Sequence, residues 1–106
     1  MFAKFLLGRI RIEDKAKEIL GRTPLDLIAR HAVLDHGQVS KAQLQNNLNS
    51  LATGGEISSA FFVDPGNPKA GQITITTEAG WGGTLVSYVK TPMRRARVKG
   101  QDDFPI

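Results

Sequence analysis

The chain has 106 residues, no cysteine and a formal net charge of +4. This length suits one domain with a modest core, and the missing cysteine excludes disulfides, thiol catalysis and cysteine-based zinc sites. No apolar run approaches the ~20 residues of a membrane helix, and Met1–Leu7 is too short for a signal peptide's apolar core and cleavage site, so a soluble cytoplasmic protein is expected.

Phe2–Ile12 is apolar, with Arg9 and Arg11 alternating against Ile10 and Ile12, and predicts a strand. Glu13–Leu20 predicts a short helix that carries Ala16, Ile19 and Leu20 on one face and stops at Gly21. Thr23-Pro24-Leu25-Asp26 opens a second helix. There Thr23 offers a cap, Pro24 suits the first turn, and Asp26 sits where the helix dipole favours an acid. Leu27, Ile28, His31 and Leu34 then recur at helical spacing until Gly37. Ser40 and Gln43 have the spacing of a capping box, and Leu44, Leu48 and Leu51 form the i, i+4, i+7 stripe of a third, amphipathic helix that Gly54-Gly55 closes.

Three strands are predicted after it, within Ile57–Val63, Gln72–Thr77 and Thr84–Val89. The first pair is joined by Asp64-Pro65-Gly66-Asn67-Pro68 and the second by Ala79-Gly80-Trp81-Gly82-Gly83. The expected order is β-α-α-α-β-β-β: an α+β fold whose helices pack on one face of a small antiparallel sheet. The charge divides the chain in two. Residues 1–89 hold nine Lys/Arg against eight Asp/Glu, whereas Lys90, Arg94, Arg95, Arg97 and Lys99 follow with no acid among them, and Asp102 and Asp103 close the chain. The expected organisation is a near-neutral domain over 1–89 and a basic, peripheral or flexible tail over 90–106.

Residues Pro24, Leu25, Leu27, Arg30, His31, Asp35, Gly37, Asn47, Leu51, Gly54, Ser59, Ala60, Phe61, Thr77, Glu78 and Ala79 stand in an ordered pattern, with no gap from Leu25 to Phe61. In this pattern the chain resembles, over about residues 5–89, a family of small proteins carried on bacterial plasmids, integrative elements and phages and often labelled plasmid-related. The family often has Trp where this chain has His36, Gly80-Trp81-Gly82 replaces its Asp-Arg-Ser, and the basic tail has no counterpart in it. The resemblance implies a mobile-element setting and no particular activity.

Arg30-His31-Ala32-Val33-Leu34-Asp35-His36-Gly37 gathers both histidines, a carboxylate and an arginine at a helix end. His31 and Asp35, at i, i+4, share one helix face; that pair suits general-base chemistry or metal binding, with His36 as a third ligand. The competing expectation is a buried, hydrogen-bonded His31 with Asp35 tying down the helix end. No distant His or Cys completes a metal site, so no metal and no cofactor is expected. Arg30, His31, Asp35, Asn47, Ser59 and Glu78 form a candidate polar network. Ser59 lies mid-strand without the Gly-x-Ser-x-Gly elbow of a hydrolase, which favours a structural network over catalysis.

The second and third helices, joined by a short turn, resemble a helix-turn-helix, and Gln43, Gln45, Asn46, Asn47 and Asn49 are types that pair with adenine. Only Lys41 supplies a cation there, which is poor for a DNA reader. Lys90, Arg94, Arg95, Arg97 and Lys99 are the candidate nucleic-acid contacts. Trp81, at a turn tip, and Tyr88 are candidate protein contacts, with a Trp81 folded back over the sheet edge as the alternative. The favoured expectation is a non-enzymatic binding protein of a bacterial mobile element that contacts a host protein or complex, such as a CRISPR or restriction machine. The alternatives are a helix-turn-helix-like DNA-binding regulator using residues 23–53 and the tail, and a small enzyme centred on His31 and Asp35. The sequence leaves the oligomeric state open.

Overall fold

In the computed structural model, which describes residues 4–90, the chain runs β1 (Arg9–Ile12), α1 (Asp14–Leu20), α2 (Leu25–Ala32), α3 (Lys41–Thr53), β2 (Ile57–Phe62), a 3-10 turn at Pro68–Ala70, β3 (Gln72–Thr77) and β4 (Gly83–Val89). The α+β class and the element order match the expectation. The sheet does not: it has four strands in the order β1-β4-β3-β2, with β1 parallel to β4 and the other pairs antiparallel. The mixed pairing has a physical cause at β2. Its outer edge is already taken, because Gln38 N–H donates to the Ala60 carbonyl at 2.6 Å and Ala60 N–H to the His36 carbonyl at 3.0 Å. The N-terminal strand therefore adds to the remaining edge, β4, and its parallel sense lets α1 return at once across β4.

Several boundaries also move. β1 is shorter than Phe2–Ile12 because Gly8 turns the chain against the Gly82 backbone. The second helix ends at Ala32 rather than near Gly37, and Thr23 provides no side-chain cap. Pro24 takes the cap position instead, and the Thr23 carbonyl accepts from Leu25 N–H. At α3 the Ser40 hydroxyl does accept from Gln43 N–H, at 3.1 Å, while the Gln43 side chain turns forward to Asn47.

Alternation along the strands places Ile57 and Phe61, Ile73 and Ile75, and Val86 on one sheet face, where Ala16, Leu27 and Ile28 of α1 and α2 cover them. Each such Ile is worth about 1.5–3 kcal/mol of apolar burial. The largest departure from expectation is α3. Its leucine stripe turns outward, with Leu44 43 % and Leu48 59 % exposed, while Asn47 and Ser50 face the protein. An edge strand has unpaired N–H and C=O groups that a leucine cannot satisfy and an amide can. Asn47 Nδ2 donates to the Ser58 carbonyl at 2.8 Å, and Asn47 Oδ1 accepts from Ser58 N–H at 3.0 Å. One side chain thus completes the edge that residues 36–38 begin.

Gly37 makes this edge closure possible. Its φ is +68°, and a Cβ there would collide with the Ala60 carbonyl oxygen and the Phe61 ring. Gly37→Ala is expected to lower stability by about 3 kcal/mol, from left-handed strain plus collision. Gly21→Ala, at φ +72° but facing open space, should lose only about 1 kcal/mol. Urea denaturation of both variants checks this; equal losses would contradict the edge-closure role.

Candidate functional site

Beneath α2, polar side chains from separate elements meet in the core. His31, on the buried face of α2, reaches Ser59 Oγ of β2 with Nδ1 at 2.6 Å and Thr77 Oγ1 of β3 with Nε2 at 2.9 Å. His36 Nδ1 lies 2.7 Å from the same Ser59 oxygen. Thr77 Oγ1 is 2.7 Å from Thr84 Oγ1 of β4, whose hydroxyl donates to the Leu7 carbonyl at 2.6 Å. Ser59 and Thr77 fall here because they share the core face with Ile57 and Ile75, and Thr77 and Thr84 are register partners across the second hairpin.

The terminal carbonyl gives this chain of hydrogen bonds one direction. Leu7 O can only accept, so Thr84 spends its proton there and accepts from Thr77. Thr77, its own proton spent, accepts from His31 Nε2–H. A neutral imidazole carries one proton, so His31 Nδ1 is a lone pair and receives the Ser59 hydroxyl. Ser59 oxygen then accepts from His36 Nδ1–H. Each of the three hydroxyls donates once and accepts at least once, and both nitrogens of His31 are bonded. The arrangement requires a neutral His31. Burial is the main cause that pushes its pKa down to about 4, and the neighbouring His36 adds to it. Burial also lowers the pKa of His36, with the Asp35 carboxylate opposing. Phe5 closes the site from the N-terminal segment, edge-on to the His31 ring at 5.2 Å between centroids.

A hydroxyl that donates to an imidazole resembles the nucleophile and base of an acyl-transfer enzyme. Here Ser59 is 1 % exposed, His31 0 % and His36 6 %, and the second imidazole already occupies a lone pair of the Ser59 oxygen. No room is left at that oxygen for a carbonyl or its oxyanion donors.

The candidate network divides into separate parts. His31 and Ser59 join directly, but Asp35 does not meet His31, because α2 ends at Ala32 and the helical i, i+4 relation is lost. Asp35 Oδ2 accepts instead from Arg30 Nε at 2.7 Å, and this hydrogen bond is the main cause that lowers the Asp35 pKa and raises that of Arg30. The Arg30 guanidinium also lies 4.6 Å from the Phe61 ring centre. Asn47 serves the β2 edge, and Glu78 stands exposed at the β3–β4 hairpin beside Gly82 and Gly83. Sequence reasoning missed Thr84 and gave no role to Thr77. The available signal was a hydroxyl at a core-facing strand position, where an alternation pattern asks for an apolar residue.

Trp81 is half-buried: its indole N–H donates to the Gly55 carbonyl at 2.9 Å, and its ring lies 5.7 Å from that of Phe5. Tyr88 is also half-buried and donates its hydroxyl to the Ala70 carbonyl at 2.9 Å. Lys90 is the last described residue, so Arg94, Arg95, Arg97 and Lys99 lie outside the described residues, as does the 91–106 part of the tail. Among the described residues, no three His, Asp or Glu side chains gather as a metal ion would need, and no helix is long and apolar enough to cross a membrane. Comparison with protein-family models, curated proteins and solved structures finds no match.

Proposed function

We propose that this chain is a non-enzymatic binding protein of a bacterial mobile genetic element, acting in the host cytoplasm by contact with a host protein or complex, of which CRISPR and restriction machines are the favoured examples. One observation carries the non-enzymatic part: both imidazoles and Ser59 are buried and bonded to one another, with Thr77 and Thr84 continuing the chain of hydrogen bonds. A protein built this way acts through its surface. The mobile-element setting rests on the sequence resemblance over about residues 5–89. Affinity purification of the tagged full chain from its host, with mass spectrometry and nucleic-acid extraction, tests the reading. The expected result is a stoichiometric host protein that survives nuclease treatment. Recovery of nucleic acid without protein would overturn it.

A DNA-binding regulator remains the second reading, and one feature favours it. Arg9 and Arg11 line a shallow cleft on the sheet face opposite the core, beside Thr76, Leu85 and Glu78, and they add two cations to those of the tail. On this reading the charges of 90–99 drive binding, since residues 1–89 are near neutral. Neutralising Arg94, Arg95 and Arg97 together should flatten the salt dependence of a mobility shift. A 1–89 truncation that binds as tightly as the full chain would refute it.

A further inference from the structure

α3 turns Asn47 and Ser50 inward and leaves its leucine stripe at the surface beside the exposed Gln45, Asn46 and Asn49. Leu44, Leu48 and Leu51 follow d-a-d coiled-coil spacing, with Lys41 at the preceding a position. Leu48, at the middle of the stripe, is also its most exposed member, and Leu51 is half-buried. Among the described residues nothing covers Leu44 or Leu48. Exposed leucines aligned along one helix form an interface seam rather than scattered surface apolar residues.

We infer that a second copy of this chain covers that seam, with α3 packing antiparallel on α3 about a two-fold axis at Leu48. Charge decides both the partner and the sense. The seam carries no charge except Lys41 at one end, so like packs on like without repulsion. The opposite sheet edge would behave differently: a copy paired there sets Arg9 and Arg11 against their own kind. α3 has no acid in its first turn and no base in its last, so its dipole is uncompensated by its own side chains. In the antiparallel pair, Leu44 meets Leu51 of the other copy, and Lys41 arrives at that copy's last-turn carbonyls near Gly54, where a cation is favoured. The basic 90–99 segment is a poorer occupant, because it would lie beside Lys41 and the positive end of the helix. Thirteen residues span about 20 Å. Such a seam buries less than the ~800 Å² per partner of a standard stable interface, so the dimer is weak and concentration-dependent.

Sedimentation velocity on the full chain, from low to high micromolar concentration, reads this directly. The expected result is a shift from monomer to dimer mass that Leu48→Asp abolishes, with an unchanged far-ultraviolet spectrum because Leu48 is solvent-exposed. Lys41→Glu separates a seam contact from a folding effect: an acid in the first turn should raise the monomer's melting temperature slightly while weakening the dimer several-fold. The chain has no cysteine, so Leu48→Cys should cross-link to itself under mild oxidation much faster than Ile10→Cys, at the opposite edge of the sheet. A wild type that stays monomeric at every concentration overturns the inference, and that is also the outcome if the tail or a host protein fills the seam. So does a dimer that survives Leu48→Asp, a Lys41→Glu dimer as tight as wild type, or equal cross-linking of the two cysteine variants.

Discussion

His31→Ala should destabilise the protein by about 3–5 kcal/mol, combining a ring-sized cavity with the two buried hydroxyls it strands. Both ring nitrogens are bonded and the residue is 0 % exposed, so the substitution leaves the Ser59 and Thr77 hydroxyls facing a buried cavity. For a domain of this size the melting temperature should fall by about 15 °C or more. A double-mutant cycle with Thr77→Val assigns the effect, since the two residues share one hydrogen bond and should couple by about 1 kcal/mol or more. His36→Ala, which removes one bond at the margin of the core, should lose about 1–2 kcal/mol. A His31→Ala protein that melts within a few degrees of wild type, while a bound ion or a catalytic rate disappears, would overturn the structural role and restore a catalytic one.

Stability is expected to fall steeply between about pH 6.5 and pH 4, before the carboxylates titrate. In the unfolded chain His31 has an ordinary pKa near 6.5, and in the folded protein burial holds it down to about 4. Within that window the unfolded state binds the proton and the folded state does not, so acidification favours unfolding. The contribution of His31 is fully present above pH 6.5 and is lost as pH falls through 4; it amounts to about 3 kcal/mol. His36, whose pKa is also lowered, acts in the same direction. Protonation also breaks the direction of the hydrogen-bond chain: a proton on His31 Nδ1 faces Ser59 Oγ, which already accepts from His36, and leaves the Ser59 hydroxyl without its acceptor. Asp26 and Asp35 have pKa values lowered from 3.8 by their pairs with Arg22 and Arg30, so their contributions are lost only as pH falls from about 3.8 downward, below this window. Urea unfolding at pH 7 and pH 4.5 measures the difference, and His31→Asn should remove most of it. A wild-type stability that is flat across the window would contradict a neutral buried His31.

The sequence by itself determined what depends on local rules. The α+β class and element order, the Ser40 cap, the stops at Gly21 and Gly54 and the span of β3 follow from periodicity, capping and turn chemistry, which act over a few residues. The competing expectation for His31, buried and hydrogen-bonded, was also legible, because His31 recurs with Leu27 and Ile28 on a face that must pack. Tertiary structure alone decided the rest. The leucine stripe of α3 reads as a core face until the β2 edge claims Asn47, since an unpaired backbone edge needs donors and acceptors more than it needs methyl groups. The partner of Asp35 changed from His31 to Arg30 once α2 ended at Ala32. The seat of β1 on β4 followed from residues 36–38 occupying the other sheet edge. The Ser59–His31–Thr77–Thr84 chain joins positions up to 46 residues apart in single pairs, and no local pattern encodes such a meeting. It depends on strand register and on one helix crossing the sheet, which only the folded chain supplies.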